Sequence, residues 1–156
     1  MNRLLLPVVA IGAVLLEPAS AMDVHKIIKA DAIQWMAAPP QLPKGAQVAV
    51  VHGDPGKEGL YIILAKMPDG YAIPAHWHNQ TENVTVLKGT FNVGMGDKLD
   101  KARGEALGPG GFFSSGAKMQ HFAWVTGETV VQVSGMGPFD ITYVDPKDDP
   151  SAVAKN

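Results

Sequence analysis

Three histidines and one glutamate are spaced so that they could hold a metal ion. His76 and His78 flank Trp77 within Pro74-Ala75-His76-Trp77-His78. On an extended strand, side chains two apart share a face. Their Cα atoms then lie about 6–7 Å apart, at a rise of about 3.3 Å per residue. Two imidazole nitrogens can converge on one ion at about 2.0–2.2 Å. Glu82 follows after Asn79-Gln80-Thr81, and a turn there would return its carboxylate to the same ion. If Glu82 points inward along its strand, Val84 and Val86 do too. The surroundings would then be apolar, which controls water access to such a site. By itself a His-x-His pair also occurs on polar surface strands, so the elements around it have to decide.

Those elements read as strands. Short β-prone runs cover residues 47–52, 60–66, 71–78, 83–87, 90–95, 105–107, 111–114, 119–124, 129–134 and 141–144. Turn clusters separate them, among them Gly53-Asp54-Pro55-Gly56, Pro68-Asp69-Gly70 and Gly94-Met95-Gly96-Asp97. Lys88-Gly89 reads as a tight hairpin. No amphipathic helix is expected in this part of the chain. Short strands at roughly 8–12-residue spacing predict an all-β antiparallel sandwich or barrel.

In that context the ligand spacing becomes specific. Gly70, His76, His78, Glu82 and Gly89 match the first motif of the cupin superfamily: Gly, five residues, His-x-His, three or four residues, Glu, six residues, Gly. The chain resembles that family. The second cupin motif is Gly, five residues, Pro-x-Gly, two residues, His, three residues, Asn. Gly110 and His121 fall at its first Gly and its His, but Gly116, Lys118 and Val125 replace its Pro, Gly and Asn. The turn before His121 is therefore expected to be built differently, with Lys118 outside near the barrel rim. The phrases Val84-Thr85-Val86-Leu87, Gly89-Thr90-Phe91 and His121-Phe122-Ala123-Trp124 resemble bacterial exported cupins. The resemblance implies a single-domain jelly-roll β-barrel over residues 47–144. It also implies a metal held by His76, His78, Glu82 and His121.

Three neutral imidazoles and one carboxylate suit a divalent transition metal (Mn, Fe, Ni, Co, Cu or Zn) and leave positions open on it. Mg and Ca favour all-oxygen sites. Such a centre in an apolar barrel fits an enzyme acting on a small organic molecule, with dioxygenase-like chemistry ahead of lyase or isomerase chemistry. The alternative is a non-enzymatic metal- or small-ligand-binding protein, because the sequence shows no second acid–base group. Phe91, Met95, Met119, Trp124 and Gln132 are the candidate pocket residues, though all also read as packing. Tyr71 and Tyr143 read first as packing or hydrogen-bonding residues. His25 and His52 match no motif. Gly108-Pro109-Gly110-Gly111 lacks the ending of a phosphate loop. The sequons at Asn79 and Asn83 lie too near the ligands to favour glycosylation.

Composition narrows the classes further. The 156 residues suit one domain, 46% are hydrophobic, and only 18% are charged, so a packed core is expected. A formal net charge of -2 without a basic stretch argues against a nucleic-acid partner. The absence of cysteine excludes disulfides and thiolate ligands. At the N-terminus, Arg3, an apolar run over 4–16 and Ala19-Ser20-Ala21 have the layout of a secretory signal peptide. Cleavage is expected after Ala21, giving a periplasmic or secreted protein with no membrane span. Residues 22–46 would form an N-terminal extension, and 145–156 a loose polar tail. Within it, Asp23 to Trp35 could cover or exchange with a neighbour's sheet edge, so a homodimer is expected.

Overall fold

The computed structural model describes residues 25–153; the expected signal peptide lies outside them. Nine strands form one curled antiparallel sheet. They are β1 (Met36–Ala37), β2 (Gln47–His52), β3 (Gly59–Met67), β4 (Ala72–Trp77), β5 (Glu82–Met95), β6 (Glu105–Leu107), β7 (Phe112–Ser115), β8 (His121–Gly137) and β9 (Thr142–Tyr143). The expected all-β jelly roll is the fold observed. Among the described residues the α-helix is a four-residue turn, Pro150–Val153, in the tail. No helix among them is long and apolar enough to cross a membrane.

Two long strands organise the barrel. β5 runs for 14 residues and β8 for 17. Residues 82–86 of β5 and 129–137 of β8 pair within the half-sheet that also holds β1, β2, β3 and β7. Residues 90–95 of β5 and 121–126 of β8 pair within the half that holds β4, β6 and β9. The two strands therefore pass together from one half to the other.

This corrects the hairpin expected at Lys88-Gly89. The chain does not reverse there; it bends. The β5–β8 register slips on both sides of Lys88, as at a β-bulge. Gly89 has φ +79°, and a Cβ on it would lie 2.4 Å from Thr129 Oγ1 and 2.6 Å from Glu128 O. Only glycine lets the strands approach this closely. Thr129 is fully buried and replaces part of the interrupted ladder, since Thr90 N donates to its hydroxyl at 3.1 Å. The same glycine that suggested a reversal thus makes the barrel corner, and the expected runs 83–87 and 90–95 are one strand. Runs 119–124 and 129–134 likewise fuse into β8.

Strand alternation puts the apolar core between the halves. Tyr61, Ile63 and Met67 face in from β3, Val84, Val86, Phe91 and Val93 from β5, and Ala123, Val125, Val131 and Val133 from β8. Val84 and Val86 are buried, as expected if Glu82 shares their face. Residues 36–46, assigned from sequence to an extension, belong to this body. Met36 and Ala37 pair with Val48 and Gln47, and Ala46 is buried in the core cluster. Residues 38–46 form the β1–β2 loop, closed at its base by Ala38 N donating to Ala46 O at 3.1 Å.

Candidate metal centre

His76 and His78 face the interior because β4 carries a bulge. Its register with β8 slips between Ile73 and His76. Pro74 lies in the slip, where its missing N–H breaks no ladder bond. Before it, odd-numbered Tyr71 and Ile73 line the interior; after it, even-numbered His76 and His78 do. The bulge thus gives one strand both an apolar wall and two imidazoles on the same side. His121 opens β8 directly opposite His76, and Glu82 opens β5.

The three imidazoles converge. One ring nitrogen from each of His76, His78 and His121 lies within 4.8 Å of the others, and all three residues are buried. Glu82 Oε2 stands 3.5 Å from both His78 Nε2 and His121 Nε2, and the Glu82 side chain is only 14% exposed.

Backbone carbonyls set the ring tautomers. His76 Nδ1 lies 2.7 Å from Pro74 O, His121 Nδ1 3.0 Å from Met119 O, and His78 Nδ1 is bonded to Asp140 O. A carbonyl oxygen only accepts, so each Nδ1 carries the hydrogen and donates. In the neutral rings every Nε2 lone pair is then left to the interior. His78 Nε2 is buried and has no hydrogen-bond partner, a costly condition for a polar atom. A metal ion would satisfy it, and an Nδ1–H bonded to a carbonyl is the usual support of a metal-bound histidine. The donor set therefore fits a transition metal.

Charge around the centre agrees. Burial, then the neighbouring His121 and His78 rings, push His76 down to about 3, so it stays neutral. Burial would raise Glu82, but the His121 and His78 rings beside its carboxylate, each with Nε2 3.5 Å away, hold it below the usual carboxylate range. Burial also disfavours charge on His78, yet the Glu82 carboxylate outweighs it and raises that imidazole. Without an ion, Glu82 attracts a proton to this cluster; an ion would take that proton's place.

The centre opens into a cavity of about 60 Å³, room for on the order of four waters at ~15 Å³ each. Its walls are apolar, and Phe91 is among them. The other four candidate pocket residues do not line it. Phe122 and Trp124 alternate outward from β8, where Trp124 packs with Ala75 and Phe122 and its ring blocks any Cβ at Gly104. Met119 sits exposed on the turn before β8. Met95, 39% exposed, joins a separate surface depression with Arg103 and Phe112. Gln132 alternates with inward Val131 and Val133 and pairs with Leu64 and Thr85.

Leu42, Phe139 and Ile141 line the cavity as well, and no local motif marks them. They arrive from the β1–β2 loop and the β8–β9 connection. The latter is fixed by Asp140, whose carboxylate accepts from Asn79 N at 3.1 Å and Asn79 Nδ2 at 2.9 Å. Tyr71 and Tyr143 tie down the former, donating to Pro43 O at 2.7 Å and Gln41 O at 2.8 Å.

The departures in the second motif are visible in the turn. Lys118 has φ +61°, the left-handed region that the motif's usual Gly would occupy without strain. Its side chain is exposed, as expected, while its N–H donates to His78 O at 2.7 Å. The turn keeps its shape because it is tied to the other ligand segment.

This barrel, with histidines from two motifs meeting inside it, defines the chain as a cupin. A family model described as Domain of unknown function (DUF4437) matches residues 17–142, and the chain belongs to that family. Similar solved structures include the polyketide cyclase RemF from Streptomyces resistomycificus, at 18% identity and TM-score 0.67, covering 85% of this chain and 94% of that one. A putative acetylacetone dioxygenase from Methylibium petroleiphilum aligns at 20% identity and TM-score 0.62, covering 81% and 85%. The DMSP lyase DddQ from Ruegeria pomeroyi aligns at 19% identity and TM-score 0.59, covering 75% and 64%. At these identities the likeness shows the shared fold. No curated protein matches the chain.

Proposed function

We propose that the protein is a metal-dependent enzyme acting on a small organic molecule, with His76, His78, His121 and Glu82 as the ligands of one divalent transition metal. The carrying observation is the set of three buried imidazoles whose Nδ1 atoms are committed to backbone carbonyls. When bound, the ion supplies Lewis acidity and, if redox-active, electron transfer. The chain's own groups do the rest. The imidazoles hold the ion, the carboxylate lowers its charge, and the apolar walls exclude water and orient the substrate. Oxygenase chemistry stands ahead of lyase or isomerase chemistry in this reading. Oxygen uptake by Mn- and Fe-loaded protein, with a panel of diketones, catechols and keto acids, tests it.

One observation favours the alternative of a binding protein. Apart from the proposed ligands, the titratable side chain lining the cavity is Tyr71, whose hydroxyl is committed to Pro43 O and whose ionisation burial makes harder. Tight binding without turnover across the panel would favour it.

Export and pairing complete the proposal. The 4–16 apolar run and Ala19-Ser20-Ala21 support export; N-terminal sequencing of the periplasmic protein should begin at Met22, and a cytoplasmic chain retaining Met1 would refute it. Leu60 and Met136, opposite each other on β3 and β8 and half exposed, offer an apolar face for a second copy. Sedimentation as a monomer alone at micromolar concentration would rule pairing out.

A further inference from the structure

The charge and shape of the cavity say more about its ligand than the metal centre does alone. Among the described residues its walls contain no lysine, arginine or aspartate, and Glu82 is their acidic side chain. One carboxylate and three imidazoles bound to a divalent ion leave about one net positive charge in an apolar space. A singly charged chelating anion neutralises it. A dianion would bring an unpaired buried charge, which is costly in such surroundings.

The β1–β2 loop also reaches the cavity. Leu42 is this loop's contribution to the cavity wall. The loop is held across the barrel end by the Tyr71–Pro43 and Tyr143–Gln41 bonds and by its own turn, Leu42 N donating to Pro39 O at 2.9 Å. Phe139 and Ile141 line the same cavity as Leu42, and both also line an outer depression with Pro39, Gln41 and Pro55. The seam between the loop and these two side chains therefore separates the inner cavity from solvent.

We propose that the site takes a small, singly charged chelating anion with an apolar remainder, and that Leu42 sets how long that remainder can be. Resting on the metal-site reading above, this adds the ligand's class and the residue that limits it. Leu42 has an aliphatic side chain with no donor atom for a metal, so its truncation should leave the ion in place. Removing its branched end enlarges the cavity at a wall residue that is not one of the proposed ligands and relaxes the length limit, since one methylene in an apolar pocket changes binding by about tenfold or more.

The test uses Co(II)-loaded full-length mature protein, its metal content measured first. Binding of unbranched 2-oxo acids from pyruvate to 2-oxooctanoate is followed by calorimetry and by the visible spectrum of the ion, with 2-oxoglutarate as the dianion. We expect pyruvate or 2-oxobutyrate to bind at least tenfold more tightly than 2-oxoglutarate, with affinity falling along the series. In Leu42→Ala the fall should move to longer chains, with 2-oxooctanoate gaining at least tenfold relative to pyruvate at unchanged metal content. Leu42→Met, similar in volume, should keep the wild-type profile. Equal or tighter binding of 2-oxoglutarate, or a length profile unmoved in Leu42→Ala, overturns the proposal while leaving the metal site standing. Protein that takes up no ion at this site overturns both.

Discussion

Each of the three histidines presents Nε2 inward because its Nδ1–H has a carbonyl to bond, so the site is organised before any ion arrives. Removing one ring should be severe. We expect His121→Ala to weaken metal binding at least about 100-fold in competition with a chromophoric chelator. Ser115, buried with its hydroxyl 3.2 Å from His121 Nδ1, supports that ring from outside; Ser115→Ala should cost about 10-fold, an effect typical of such outer partners. Protonation has a definite sign. His76 titrates near 3 in the fold and at its ordinary 6.5 when unfolded, so between these values the unfolded chain binds more protons. Its contribution to stability is complete above 6.5 and falls as pH drops. Glu82, also depressed, acts in the same direction at lower pH, whereas His78, raised, contributes fully below 6.5 and loses its contribution as pH rises. Metal-free protein should therefore lose on the order of 1 kcal/mol through His76 between pH 6.5 and 5.5. Urea unfolding at the two pH values measures this, and His76→Gln should flatten the slope. The histidine positions were legible in the sequence because period-two spacing and the motif register both survive in the chain. Their tautomers were not, because Asp140 O reaches His78 from 62 residues away.

At the scale of elements, bends and bulges determine what faces inside. Gly89→Ala would drive a Cβ against Thr129 and Glu128 at a positive φ. It should lower stability by at least about 2 kcal/mol in chemical denaturation. Lys118→Gly should act oppositely, relieving up to about 1 kcal/mol at the left-handed turn position, with metal affinity retained. Strand content was readable from the turn clusters as a sandwich or barrel, and the resemblance of the ligand motif to cupins narrowed it to a jelly roll. The corner was not, because Lys88-Gly89 offers the same local signal whether the chain reverses or bends. What distinguishes the two is β8 alongside, bulged at the same level. The bulge at Pro74 hid the same way: simple alternation would place Ile73 and His76 on opposite faces, and the slip reunites them.

Across the whole molecule, the candidate metal site lies in an apolar barrel whose cavity is also lined from the β1–β2 loop and the β8–β9 connection. Composition and motif spacing already pointed to a single all-β body with an interior ion. The pocket walls were a different matter. Met95, Met119, Trp124 and Gln132 are near the ligands in sequence, yet the barrel turns them outward or to its rim, while Leu42, Phe139 and Ile141 come from distant connections that carry no motif. Only closure of the sheet brings these together. The proposed chemistry depends on the ion. Anomalous X-ray scattering from crystals of protein purified from its native compartment, with no metal or chelator added, tests it most directly. We expect one peak per chain, bonded by the Nε2 atoms of His76, His78 and His121 and by the Glu82 carboxylate. Absence of a peak there, or an ion held without these imidazoles, would contradict it.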